Sequence, residues 1–300
     1  MGLEYKNVTF ADHNRGQAPI EQLLRQGAQA LAEAGVENPR REARLLLQHA
    51  LGLTAEQMLA LSPRSEVDQA CYLDWVARRT QHEPFAYITG QKGFWTLDLA
   101  VSSASLVPRG DTETLVSCVL DHFPDRDAPL SVLDLGTGTG CILLAVLSEY
   151  KQAWGMGVDI SPQAAALAAG NAARCGLGGR AAFIAGSWTD ALAPETRFDL
   201  VLSNPPYIPT RDLAELMPEV RNHEPVRALD GGQDGLDAYR LLCADLPDRL
   251  TPDGLGVFEI GIGQEADLRA LAAENHLDVA EVRPDFEGIS RAVVMRHQPI

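Results

Sequence analysis

Two short stretches carry groups whose type and spacing could do chemistry. The first is Asn204-Pro205-Pro206-Tyr207, which follows the apolar run Phe198-Asp199-Leu200-Val201-Leu202-Ser203. Such a run predicts a buried strand, and the prolines end it abruptly because neither has an N–H for a ladder hydrogen bond. Each proline also biases the residue before it toward extended backbone. The loop is therefore stiff and presents Asn204 and Tyr207 at the carboxyl edge of a strand. An amide, one or two fixed carbonyls and an aromatic face suit a flat acceptor, either a nucleobase or an amide. A rigid turn with a packed tyrosine is the plainer use of the same tetrapeptide.

The second stretch is Asp134-Leu135-Gly136-Thr137-Gly138-Thr139-Gly140. Glycines at alternate positions let the backbone turn tightly and approach a ligand closely. The helix predicted after them offers N–H groups to a carboxylate or phosphate. Asp159 ends the next predicted strand about twenty residues on, where an acid binds adenosine ribose hydroxyls. Beside Ser161-Pro162 it also suits a helix start. Dinucleotide and methyl-donor sites share this layout. GxGxG spacing with an acid ahead of it, rather than GxGxxG, favours a methyl donor over a nicotinamide, and no hydride-transfer set is visible.

The elements that must position these stretches alternate. From Thr112 onward strand follows helix, which predicts a mainly parallel sheet covered on both faces. Strands are read at Ser131–Leu135, Trp154–Asp159, Ala181–Ala185, Phe198–Ser203 and Leu255–Ile260. A closing pair follows at Leu277–Val282 and Arg291–Met295. Helices are read at Cys141–Glu149, Pro162–Cys175, Asp237–Leu250 and Gln264–Ala273, with an irregular segment at 208–236. Ahead of them, 84–111 reads as a hairpin or linker through the aromatic, β-rich run Phe94–Val101. Residues 1–83 read as a small helical bundle with a loose tail at 1–18 and helices from Ile20 and from Pro39. Thr54 with Gln57 makes a capping box. Val67, Cys71 and Trp75 form an apolar stripe on a further helix.

Bulk properties narrow the classes. Among 300 residues the formal charge is -16, and no basic footprint for nucleic acid is visible. No run approaches the about eighteen apolar residues of a membrane span, and Met1–Thr9 predicts no signal peptide. Five scattered cysteines lack zinc spacing and suit free thiols in a reducing cytoplasm. No metal site is expected.

With these motifs the chain resembles the PrmC or HemK family of release-factor glutamine N5-methyltransferases over nearly its whole length. The matching stretches include Glu83–Gly90, Phe94-Trp95, Leu106–Arg109, Asp111–Glu113, Asp134–Gly140, Ser203–Ile208, Glu224-Pro225, Asp230–Gly232, Glu259–Gly261 and Asp285-Phe286. Gly110 departs from the proline usual there. The resemblance implies a Rossmann-like class I methyltransferase domain at 112–300, with the bundle at 1–83 serving substrate recognition. It implies that Gly136, Thr137, Gly138, Thr139 and Gly140 line S-adenosylmethionine, that Asp159 holds its ribose and that Trp188 flanks its adenine. Asn204 would touch both donor and acceptor, and Asn204, Pro205, Pro206 and Tyr207 would cradle a glutamine of a release factor's Gly-Gly-Gln loop. A cytoplasmic monomer that binds neither nucleic acid nor membrane is expected. The sibling ribosomal protein L3 glutamine methyltransferases, nucleic-acid adenine N6-methyltransferases and a non-catalytic donor-binding module remain alternatives.

Overall fold

A computed structural model describes residues 16–298, so Met1–Arg15 of the tail lie outside the described residues. The chain divides into two compact units, with the break between Thr89 and Gly90.

The first unit holds β1 (Gln17–Pro19), α1 (Ile20–Glu33), α2 (Pro39–Ala50), α3 (Ala55–Ala60), β2 (Glu66–Asp68), α4 (Ala70–Thr80) and α5 (Phe85–Thr89). Helix α1 buries Ile20, Leu23, Gly27 and Leu31 along one stripe. It stops at left-handed Gly35, whose N–H bonds back to the Ala32 carbonyl. The capping box closes as the sequence predicts. Gln57 N–H donates to Thr54 Oγ1 at 3.2 Å and Thr54 N–H to Gln57 Oε1 at 2.8 Å.

Two expectations fail here. Gln17 and Ala18, read as the end of a loose tail, belong to a strand, Gln17–Pro19, that pairs antiparallel with Glu66–Asp68, and Ala18 faces Val67. Val67 is therefore in a strand, and the Val67–Cys71–Trp75 stripe does not exist as one helical face. Helix α4 instead buries Tyr72, Val76 and Arg79, and Cys71 is exposed. Pairing with a distant segment forced extended backbone on Val67, which a local period cannot register. Tyr72 packs onto Gly27, where an added Cβ would collide with its ring and hydroxyl, and donates to the Leu23 carbonyl at 3.1 Å. Buried Arg79 is neutralised by Glu42 at 2.9 Å, as a buried charge requires.

The second unit begins with β3 (Gln91–Phe94), β4 (Leu97–Ala100) and α6 (Glu113–His122). It continues through β5 (Ser131–Leu135), α7 (Cys141–Glu149), β6 (Trp154–Asp159), α8 (Pro162–Arg174), β7 (Ala181–Ala185) and β8 (Phe198–Ser203). It ends with α9 (Pro218–His223), α10 (Asp237–Arg249), β9 (Leu250–Glu259), α11 (Glu265–Glu274), β10 (Leu277–Pro284) and β11 (Ser290–His297). Seven strands form one sheet in the order β10-β11-β9-β8-β5-β6-β7. Strands β5 to β9 run parallel, and β11 is antiparallel to both its neighbours. This is the mostly parallel Rossmann-like sheet the sequence predicts.

Alternate residues of the central strands enter opposite apolar layers. Val132, Leu200 and Leu202 pack with Leu143, Val146 and Tyr150, whereas Leu133, Leu135 and Val201 pack with Tyr239, Leu242 and Leu246. Because β5 and β8 are buried on both faces, they read as continuous apolar runs rather than alternating ones.

The sequence reading assigns no helix at Glu113–His122, and it runs Phe94–Val101 together. The hairpin turns within that run, at left-handed Trp95. The turn is held by Trp95 N–H on Glu113 Oε1 at 2.8 Å and by the indole N–H on Glu149 Oε1 at 2.7 Å, both tertiary bonds. Strand β9 also starts earlier than Leu255, because Leu250 pairs with Phe198 before a register shift.

Chain order reverses at the centre of the sheet: β5, β6 and β7 step outward one way, and β8 returns to the other side of β5. Both singled-out stretches leave the sheet at this switch point, where open α/β sheets form their crevice.

Candidate active site

The glycine loop turns because Gly136, Gly138 and Gly140 all take left-handed backbone, at φ 75°, 56° and 80°. A side chain there would be strained. The amides of Gly136 and Thr137 donate to the Val158 carbonyl at 2.9 and 3.0 Å, and Gly138 N–H donates to Asp159 Oδ2 at 2.9 Å. Asp159 thus ties the loop to the end of β6, and its Oδ1 accepts from Ser161 N–H at 2.8 Å. Beneath the loop lies Asp134, fully buried. Thr137 Oγ1 donates to its Oδ2 at 2.6 Å, and Oδ1 has no partner. Burial pushes this carboxyl up to about 7, opposed by the Thr137 hydroxyl.

These groups border a cavity of about 260 Å³. Gly136, Thr137, Gly138 and Thr139 line it, together with Asp159, Trp188, Asn204 and Pro206. Trp188 adopts left-handed backbone at φ 45°, and its ring edge lies 3.7 Å from where a Gly136 Cβ would stand. Of the remaining candidates, Gly140 faces Ala168, Leu144 and Phe183 as the residue preceding α7. Pro205 is buried. Tyr207 packs against Gly261. Three of the sequence candidates therefore stand beside the cavity rather than in its wall.

More of the wall comes from two segments in which the sequence reading named no binding residue, Ala104–Arg109 and Pro225 with Arg227 and Ala228. Glu224, nearly fully buried, pairs with Arg109 and accepts from Val107 N–H at 3.4 Å. Burial raises its carboxyl pKa and Arg109 opposes that. Arg227 donates to the Ala104 carbonyl at 3.0 Å. Gly110, beside this wall, has open space around a would-be Cβ. Cys141 also lines the cavity, but burial pushes its thiol up to about 12, which removes it as a nucleophile at neutral pH.

Behind Asn204 lies a polar cluster that only the fold assembles. Asn204 Nδ2 donates to Thr112 Oγ1 at 3.1 Å, and Thr112 donates to Glu259 Oε2 at 2.6 Å. Tyr207 Oη donates to Glu259 Oε1 at 3.3 Å. Glu259 is 2 % exposed, and burial pushes its carboxyl up to about 7 against the Thr112 and Tyr207 hydrogen bonds and Arg291. The sequence did hold signals for it: Glu259 is the one acid within the apolar strand run Leu255–Ile260, and it opens the matching stretch Glu259–Gly261.

The glycine loop and Asn204 meet at a switch-point crevice of a seven-stranded, mostly parallel sheet. Together they define a class I, S-adenosylmethionine-dependent methyltransferase. Residues 132–223 match the family described as Methyltransferase domain, and residues 22–90 match the PrmC N-terminal domain. The chain is 46% identical over 284 residues to the release factor glutamine methyltransferase of Rhodospirillum rubrum, spanning 93% of this chain and 85% of that one. It is 41% identical over 294 residues to that of Bradyrhizobium diazoefficiens, spanning 96% and 98%. A crystal structure of a release factor-specific protein-(glutamine-N5) methyltransferase from Alicyclobacillus acidocaldarius aligns at 26% identity and TM-score 0.39, over 64% of this chain and 95% of that one. The chain belongs to the release factor glutamine methyltransferase family.

Proposed function

We propose that this chain transfers a methyl group from S-adenosylmethionine to the side-chain N5 of the glutamine in the Gly-Gly-Gln loop of peptide chain release factors. The observation that carries this reading is Asn204, an amide in the wall of the cavity that the glycine loop borders. The residues fit the donor: a left-handed glycine cradle that any Cβ would strain, Asp159 for ribose hydroxyls and the Trp188 ring for the adenine. When bound, the donor supplies an electrophilic methyl on a sulfonium.

An amide nitrogen is a weak nucleophile because its lone pair is delocalised into the carbonyl. Asn204 Oδ1 and the Pro205 carbonyl accept from the substrate NH2 and hold its lone pair toward the donor cavity. Tyr207, against Gly261 rather than in that cavity, flanks the amide plane on the acceptor side. Catalysis is then positioning by fixed dipoles. No strong base is needed before attack, because the nitrogen becomes acidic only as the methyl arrives.

The protein acts as a cytoplasmic monomer and binds neither nucleic acid nor membrane itself. The charge of -16 supports a protein rather than a polyanionic acceptor. Among the described residues no helix is long and apolar enough to cross a membrane.

The test is transfer from radiolabelled S-adenosylmethionine to a release factor, its Gln→Ala variant, ribosomal protein L3 and DNA in parallel. Label is expected on the intact release factor alone. Label on DNA, or label that survives the Gln→Ala change, overturns the assignment.

A further inference from the structure

We propose that Thr112 and Glu259 form a polarised hydrogen-bond relay that locks the Asn204 amide in one orientation, making both of them positioning residues for methyl transfer. The inference rests on Asn204 receiving the acceptor amide, as proposed above.

A hydroxyl has one hydrogen to give. Thr112 spends its hydrogen on Glu259 Oε2 at 2.6 Å, since an ionised carboxylate can only accept. Its lone pairs then accept from Asn204, so the side facing Thr112 at 3.1 Å must be Nδ2. Asn204 Oδ1 is thereby left as the acceptor, which is the atom a substrate NH2 needs. Without the relay the Asn204 amide could turn over at little cost and offer a donor to another donor.

The second Glu259 oxygen accepts from Tyr207, so one buried carboxylate orients both polar side chains of the Asn-Pro-Pro-Tyr loop. Such a group is costly to bury, and its titratable neighbours are few. Charged Asp111 sits on the segment of Thr112 and charged Arg291 comes from β11, while the neutral Cys141 thiol comes from α7 and the neutral Tyr239 phenol from α10. Arg291 is itself shared with Asp111 and Asp285. When Glu259 takes up a proton it becomes a donor to Thr112. The Thr112 hydrogen then turns to Asn204 and draws Oδ1 away from the substrate. Burial brings this change up to about pH 7, so the relay predicts turnover that falls as pH drops through neutrality.

The experiment compares Thr112→Val, which keeps the shape and removes the hydroxyl, with Thr112→Ser, which keeps the hydroxyl. Steady-state transfer to a release factor is followed from pH 6 to pH 9, and donor affinity is measured by calorimetry. Loss of a charge-assisted relay predicts that Thr112→Val lowers kcat about 10- to 100-fold, with KM and donor Kd held within about twofold. Thr112→Ser recovers most of that loss, and the acid limb seen in the wild type is missing from Thr112→Val. Wild-type kcat in Thr112→Val, a Thr112→Ser variant as slow as Thr112→Val, or an acid limb that persists in Thr112→Val each overturns the relay. A wild-type protein that labels no release factor overturns the parent reading and the relay with it.

Discussion

The two halves of the proposed active site are built from different material. The donor side is backbone: a contiguous loop of left-handed glycines, held by amides on the Val158 carbonyl and on Asp159. The acceptor corner is side chain: Asn204, Tyr207, Thr112 and Glu259 converge from the ends of β8 and β9 and from the start of α6. A site made of backbone must be written in consecutive residues that permit unusual torsions. A site made of side chains can be collected from anywhere the sheet brings strand ends together. The donor half should therefore fail through strain when altered, and the acceptor half through lost polarity.

The largest effect falls on the acceptor half. Asn204→Ala should lower kcat about 100-fold or more, as expected for removing one placed dipole, while circular dichroism stays near wild type and donor binding weakens far less than turnover. Donor binding that collapses with turnover would instead move Asn204 to the donor half.

The second prediction concerns pH and both halves. Asp134 and Glu259 each have a carboxyl raised to about 7 in the fold, above the ordinary carboxylate value, so the folded state holds the extra protons. Their contribution to stability is full below the unfolded pKa, 3.8 for Asp134 and 4.5 for Glu259, and is lost as pH rises toward 7, on the order of 1 kcal/mol per pH unit for each group. Denaturant unfolding at pH 5 and pH 8 should show this decline. Asp134→Asn should reduce it, and an unchanged slope would remove Asp134 as its source.

Strain on the donor half comes next. Gly140 combines φ 80° with a would-be Cβ only 3.2 Å from both Ala168 and Leu144. Gly140→Ala should cost about 1–2 kcal/mol of stability and weaken donor binding, read by thermal melting and calorimetry. An unshifted melting point would mean that the loop tolerates a side chain after all.

The smallest effect is expected at Gly110. An added methyl meets nothing within 4 Å, and Gly110→Ala should change stability by no more than about 0.5–1 kcal/mol, in the stabilising direction, by restricting the unfolded chain. A clear loss of turnover there would show that the Arg109 loop must flex.

Much of the catalytic unit was legible in the sequence because buried parallel strands are contiguous apolar runs. Three of the parallel strands, Ser131–Leu135, Trp154–Asp159 and Phe198–Ser203, fall where those runs are written. The glycine loop was legible for a related reason, since its torsions are local. Elements defined by a distant partner were not. Gln17–Pro19 is a strand only because Glu66–Asp68 lies beside it, and Trp95 turns only because Glu113 and Glu149 receive its N–H groups.

The sequence by itself determined the alternation of strand and helix, the left-handed turn of the glycine loop and the stiffness of Asn204-Pro205-Pro206-Tyr207. Each of these follows from torsional limits and apolar period within a few residues. Tertiary structure alone decided that β8 lies beside β5, which brings Asn204 to the wall of the glycine-loop cavity. It also decided that Thr112 and Glu259 stand behind Asn204. A hydrogen bond spans about 3 Å of space and is indifferent to the length of chain between its partners, so the spacing of residues along the chain could not have announced it.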